Sequence, residues 1–224
     1  MAKLLETYLD RYVISGGIMM IFLIPCSFFA VWFIVQGWIN LRRSRIAPSR
    51  LAVMASGVEN KNDLESLRKI VDKNDAPLGR IIRRLLELKP APPAEELEEI
   101  TAELIDDEVS RLYHKNNQLA VIYTISPLLG LLGTILGMMD TFYVFSSAEE
   151  QSIAQLSIGI NQALVTTMWG LAIAIPSFVV LYLFKQRLFY YEMTFLPGKL
   201  RDFRRKYPVI MKSNLEEKAE GESD

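Results

Sequence analysis

Two apolar stretches of the chain carry hydroxyls and small residues at helical spacing. The first, TISPLLGLLGTILGMMDTF, repeats Ser126, Gly130, Gly133, Thr134, Gly137 and Thr141 every three or four residues. A helix stacks such positions on one face, which becomes small and mildly polar, while Leu128, Leu132, Ile135, Leu136 and Met139 fall largely elsewhere. The second, SIGINQALVTTMWGLAIAIPSF, has a small stripe of Gly159, Ala163, Gly170 and Ala174, with Asn161, Gln162, Thr166 and Thr167 clustered beside it. A hydroxyl both donates and accepts, so Thr134, Thr166 and Thr167, with the Gln162 amide, could pass a proton or replace part of an ion's water shell. The other reading is packing: small stripes let helices approach closely, and hydroxyls bond back to carbonyls one turn earlier. Hydroxyls and amides cannot hold a charge at physiological pH. If protons pass here, another polypeptide must supply the titrating carboxylate.

The elements that position these groups follow from the placement of charge. The 224 residues hold 25 Lys+Arg and 26 Asp+Glu, yet residues 12–41, 116–139 and 151–184 contain no Asp, Glu, Lys, Arg or His. About 20 mainly apolar residues suffice for a helix to span the hydrocarbon core, so each block is long enough. The expected architecture is an all-α integral membrane protein with three transmembrane helices, at 12–41, 118–142 and 158–184. The first is too long for a signal-peptide core and is followed by no cleavage site, so a retained anchor is expected, kinked at Pro25 and flanked by interfacial Trp32 and Trp38. Residues 42–115 carry 14 Lys+Arg and 185–224 carry nine, while the connector at 143–157 has none. The positive-inside rule therefore places the 42–117 segment and the tail in the cytoplasm. The N-terminal segment, 1–11, and the connector are placed in the periplasm.

The cytoplasmic part reads as helical. Leu78, Ile81, Ile82, Leu85 and Leu86 recur at helical spacing. A further helix is expected to start in KPAPPAEELEE, with Pro93 in its first turn and acidic residues against its dipole. It meets no breaker before Ser126 and should run straight into the second span. The third span should extend inward until Pro197-Gly198 interrupts it, and the polar end, NLEEKAEGESD, reads as disordered. The apolar stripes of these helices need partners, within one subunit or between identical subunits.

The stretch from Ser126 to Phe142, SPLLGLLGTILGMMDTF, resembles the second-helix signature of the proton-channel family that contains ExbB, TolQ and the flagellar stator protein MotA. GINQALVTTMWGLAIAIP, Gly159–Pro176, resembles its third-helix signature. Three spans and a large loop after the first fit ExbB and TolQ better than the four-span MotA. The resemblance implies a homo-oligomeric ring, typically a pentamer, in a bacterial inner membrane. It also implies a single-span partner of the ExbD or TolR type carrying an intramembrane aspartate, and a link to a TonB-like or outer-membrane-linked protein. By position, Thr134 and Thr167 match the family's pore threonines. ExbB and TolQ commonly carry a glutamate where this chain has Gln162, so a titrating relay is lost at that position.

Other functions have little to stand on. The near-zero net charge argues against nucleic-acid binding. One cysteine and one histidine, Cys26 and His114, make a metal cluster or catalytic triad improbable, so no catalytic residue, metal or cofactor is expected. The alternative to an ion-driven ring is a non-conducting membrane scaffold that recruits partners through its cytoplasmic helices. Neither the cargo nor the choice of H⁺ over Na⁺ is written in these residues.

Overall fold

A computed structural model describes residues 14–88, 92–147 and 153–221. The expected N-terminal segment, 1–11, and the middle of the connector fall outside these residues. All regular structure among the described residues is helical, and three helices are long and apolar enough to cross a membrane. Their most apolar windows reach a mean hydropathy of 2.6, 2.0 and 2.0. The chain divides into two compact units, residues 1–36 with 116–183 and residues 37–115 with 184–224.

The first unit draws on three helices, α1 (Met20–Asn40), α7 (Gln118–Ser147) and α8 (Ile153–Tyr190). A 3-10 turn, Ile14–Met19, precedes α1 and bends at Gly17, whose φ of 62° suits a residue without Cβ. Pro25, where a kink is expected, lies inside α1, whose helical pattern continues through it. Met20, Leu23, Ala30 and Ile173 form a small buried cluster against which Ile122, Leu129 and Trp169 pack. Tyr123 meets Phe178 edge to face, with ring centroids 5.5 Å apart. The outward faces are apolar instead of polar: Phe28 is 80% exposed, Trp32 64% and Leu128 60%. Such surface is costly in water and at home in lipid.

The second unit contains α2 (Arg43–Ile46), α3 (Ser49–Ser56), α4 (Lys61–Val71), α5 (Pro77–Glu87), α6 (Ala94–Asn116) and α9 (Leu196–Gly221). In α5 the expected apolar stripe is real: Leu78, Ile81, Ile82 and Leu85 are fully buried, under a first turn that starts with Pro77. Asp63 closes the start of α4 by accepting the Asn60 N–H at 3.1 Å. Leu196, Leu200, Phe203 and Tyr207 form the buried stripe of α9. Across 28 residues of sequence, Arg80 on α5 grips Glu108 on α6, its Nε 3.0 and 2.9 Å from the two carboxylate oxygens and its Nη2 2.5 Å from one.

Three expectations about helix continuity need correcting. The helix starting at Ala94 does not pass unbroken toward Ser126: its pattern lapses for one residue at Asn117. Pro197-Gly198 does not end the helical run. A π-helical turn, Tyr191–Phe195, widens the path just before it, and α9 then begins with Pro197 in its first turn, where a missing N–H is harmless. The Tyr191 hydroxyl, fully buried in that turn, donates to the Leu41 carbonyl at 2.5 Å and accepts from Arg187 Nε at 2.8 Å. The polar end is helical as far as Gly221, as its Leu, Glu, Lys and Ala content favours.

The Arg80–Glu108 pair makes a stability prediction. Glu108 is 1% exposed, so removing Arg80 would strand a buried charge. We expect Arg80→Ala to cost about 3 kcal/mol, the low end for a broken buried pair because Arg80 retains some water contact. Asp107→Ala, which frees the exposed partner Arg84, should cost about 0–1 kcal/mol. Thermal unfolding of the two purified variants, followed by circular dichroism, makes the comparison.

Candidate ion-conducting site

The seam between α7 and α8 is built from missing side chains. A Cβ on Gly130 would stand 3.0 Å from the Thr166 carbonyl oxygen and 3.1 Å from the Thr167 Cα. On Gly170 it would lie 2.6 Å from the Ser126 carbonyl oxygen, and on Gly133 2.6 Å from the Thr166 hydroxyl. The place a Cβ would take on Gly159 is filled by the Thr141 side chain, while Gly137 has 3.4 Å to both Ala163 N and the Gly159 carbonyl. Descending α7 from Ser126 to Thr141 means ascending α8 from Gly170 to Gly159, so the two helices run antiparallel. All six predicted packing residues, Gly130, Gly133, Gly137, Gly159, Ala163 and Gly170, are buried in this seam.

The hydroxyls divide into two groups. Ser126 donates to the Ile122 carbonyl at 2.7 Å, Thr141 to Gly137 at 2.6 Å and Thr166 to Ala163 at 2.9 Å, and all three are buried. In these positions the hydroxyl donates to its own helix, and for Thr141 and Thr166 it is also the side-chain atom nearest the facing glycine. Thr166 in particular is 1% exposed and fills the space left by Gly133. Thr134 stands apart. It is half-buried, donates to its own Leu131 carbonyl at 2.6 Å, and belongs to the face of α7 that also exposes Leu131 and Met138. Thr167 is also half-buried, and its hydroxyl reaches Ala163 O at 3.3 Å and, across the seam, Gly130 O at 3.4 Å. Among the described residues no hydrogen bond joins Thr134 to Thr167.

Gln162 is placed by a residue that sequence reasoning passed over. Its side-chain amide lies against Gly17, so close that a Cβ there would collide with it. The left-handed backbone at Gly17 and the Gln162 amide therefore fit one another at the start of the first span. The sequence did carry a signal, a Gly16-Gly17 pair at the head of an apolar run, where a glycine marks an unusual φ or a close approach.

Comparison with known proteins adds to this geometry. The MotA/TolQ/ExbB proton channel family matches residues 73–195, more than half of the chain and the whole seam. The chain belongs to this family. It is 34% identical over 181 residues to ExbB-like protein 3 of Synechocystis sp., named for biopolymer transport, covering 76% of this chain and 82% of the relative. It is 37% identical over 79 residues to the biopolymer transport protein ExbB of Salmonella typhimurium, covering 35% of this chain and 32% of that protein. It is 36% identical over 70 residues to the Tol-Pal system protein TolQ of Haemophilus influenzae, covering 31% of each. The chain thus spans most of the first relative and about a third of the other two. With three apolar helices, family membership makes this a membrane protein of the proton-channel, energising type.

In this family member the seam should respond to size in a position-specific way. Gly170→Ala must push against backbone atoms of α7 and should destabilise by about 1–3 kcal/mol, the usual range for overpacking. Gly137→Ala adds the same methyl where ordinary contact distance exists and should be nearly neutral. Thermal unfolding of both variants in one detergent decides between them: equal shifts would mean the seam is not the tight approach described.

Proposed function

We propose that the chain is the ring subunit of a motor driven by the proton motive force, working through an ExbD- or TolR-like partner. The observation that carries this is Thr134, a hydroxyl in the charge-free stretch 116–139 that lies outside the intramolecular seam, half-exposed on an otherwise apolar face. Family membership supports the reading. In it, Thr134 and Thr167 line the ion path, Thr166 packs, and Gln162 contributes hydrogen bonds without titrating. The ring is homo-oligomeric, a pentamer by the family resemblance, and sits in a bacterial inner membrane with its N-terminus in the periplasm and its C-terminus in the cytoplasm. The chain has no catalytic role of its own. The transmembrane carboxylate comes from the partner, whose far end passes force to a TonB-like or outer-membrane-linked protein.

Moving one charge through 100 mV yields about 2.3 kcal/mol, so one or two ions can drive a conformational step of a few kcal/mol. A second reading has an observation in its favour. Ser126, Thr141 and Thr166 each donate to a carbonyl of their own helix, as in a scaffold whose hydroxyls only pack.

The test is purification from native membranes in mild detergent, with mass spectrometry of the proteins retained, then reconstitution of the complex into vesicles with a pH-sensitive dye inside. A small single-span protein with an intramembrane aspartate should accompany the chain. Thr134→Val and Thr167→Val keep the shape and remove the hydroxyl. Each should slow potential-driven proton entry by about tenfold or more, the worth of one lost hydrogen bond at the barrier. Thr166→Val should leave the flux unchanged. A complex lacking such a partner, or equal flux in all three variants, would leave the scaffold as the better account.

A further inference from the structure

The last turn of α6 and the middle of α5 enclose a cavity of about 280 Å³ lined by Arg80, Arg111, Leu112, His114 and Lys115. This lies just below the ~300 Å³ at which pockets for drug-sized ligands begin, and three of its five lining residues are Arg or Lys. Glu108 is the carboxylate that answers them. It is already bound by three guanidinium contacts from Arg80, and its oxygen is 4.0 Å from Arg111 Nη1. That hydrogen bond holds the Arg80 guanidinium above its ordinary pKa, so Arg80 stays charged. Arg80 also donates to the Asp75 carbonyl, which fixes the guanidinium plane against the cavity. Three cationic side chains, Arg80, Arg111 and Lys115, thus meet two carboxylates, Glu108 in contact and Asp75 through its field on Arg80, leaving one positive charge uncompensated.

We infer that this cavity binds the phosphate of an anionic phospholipid headgroup. Arginine suits the ligand chemically, since its fork of donors matches phosphate oxygens, while the more exposed Lys115 supplies a mobile point charge. The source of the phosphate follows from the chain. Lys115 is three residues ahead of Gln118, where the second apolar helix begins, and three residues reach at most about 11 Å in any conformation. The headgroup layer on each side of the hydrocarbon core is about 5–8 Å deep, so the mouth of the cavity is within reach of it. Leu112, the apolar member of the lining, can meet the glycerol backbone. Basic pockets at the edges of transmembrane helices take anionic headgroups on these same grounds. The site is separate from the seam, and the inference does not rest on ion conduction.

The experiment uses the full-length protein in detergent, first stripped of lipid and then offered phosphatidylglycerol or phosphatidylcholine, with native mass spectrometry to count retained lipid. Phosphatidylglycerol should be retained in preference to the zwitterionic lipid. Arg111→Gln and Lys115→Gln should each weaken its retention about fivefold, the effect of one cation near a membrane anion. Both side chains are exposed, so neither change strands Glu108. Arg201→Gln, at an exposed position on α9, should change nothing. Excess inorganic phosphate should not displace the lipid. Equal retention of the two lipids would overturn the assignment, as would an Arg201→Gln loss as large as that of Arg111→Gln. Displacement by inorganic phosphate would overturn the lipid in favour of a free anion.

Discussion

The close approach of α7 and α8 governs what the rest of the membrane unit can do. Lipid tails are as apolar as leucine, so two membrane helices gain little by hiding apolar surface from water and associate through contact and hydrogen bonding instead. Gly130, Gly133 and Gly170 bring the backbones together, and the neighbouring side chains interlock into the spaces they leave: Thr166 into Gly133, Thr141 into Gly159. One consequence is geometric. With the small face of α7 committed to α8, the residues a hundred degrees around the helix must face elsewhere. Thr134 follows Gly133 directly, so the residue that closes the seam fixes its neighbour outside it.

The same argument shows where sequence was a sufficient guide and where it was not. The three spans were legible because hydrocarbon tolerates no uncompensated charge, and blocks without Asp, Glu, Lys, Arg or His are hard to mistake. The six packing residues were legible because their spacing is that of a helix face. The distinction between Thr166 and Thr167 was not. Adjacent residues on a helix point about 100° apart, so at most one of them can face the seam squarely, and only the register of α8 against α7 assigns Thr166 to that position. The break at Gly17 and the lapse at Asn117 were missed for a related reason. The first lies against Gln162, far away in the chain, and the second is a one-residue lapse with no breaker to announce it. Arg80 and Glu108 are invisible as a pair for the same reason, since nothing in two separate helices announces that their charges will meet.

The second unit solves a different problem. It carries most of the charge of the chain, and water is available to it, so its helices pack by conventional burial: Leu78, Ile81, Ile82 and Leu85 on one side, Leu196, Leu200, Phe203 and Tyr207 on another. Its irregularities are the places where polar groups had to be satisfied within that core. The π-helical turn at Tyr191–Phe195 brings a buried tyrosine hydroxyl to the Leu41 carbonyl, and the Arg80 guanidinium hydrogen-bonds both oxygens of the buried Glu108. Each is stable only while its partner remains, which makes these contacts specific as well as favourable.

What the spans lack matters as much as what they hold. A carboxylate fixed in α7 or α8 at the depth of Thr134 and Thr167 would need a cation beside it or would stay protonated, since an isolated charge in a low-dielectric interior is expensive. Hydroxyls at that depth escape that cost. In the proposed assembly the titrating group belongs to a separate, movable helix. When that carboxylate is ionised it is drawn to the hydroxyl-bearing faces of the ring, and when protonated it is neutral and can leave them. The ring would then present the same set of polar positions at each subunit, so each protonation could be followed by a step to the next. Separating the charge from the surface that recognises it lets proton binding become movement instead of a fixed ion pair, and Gln162, an amide where the family commonly has a carboxylate, carries that separation one residue further in this chain.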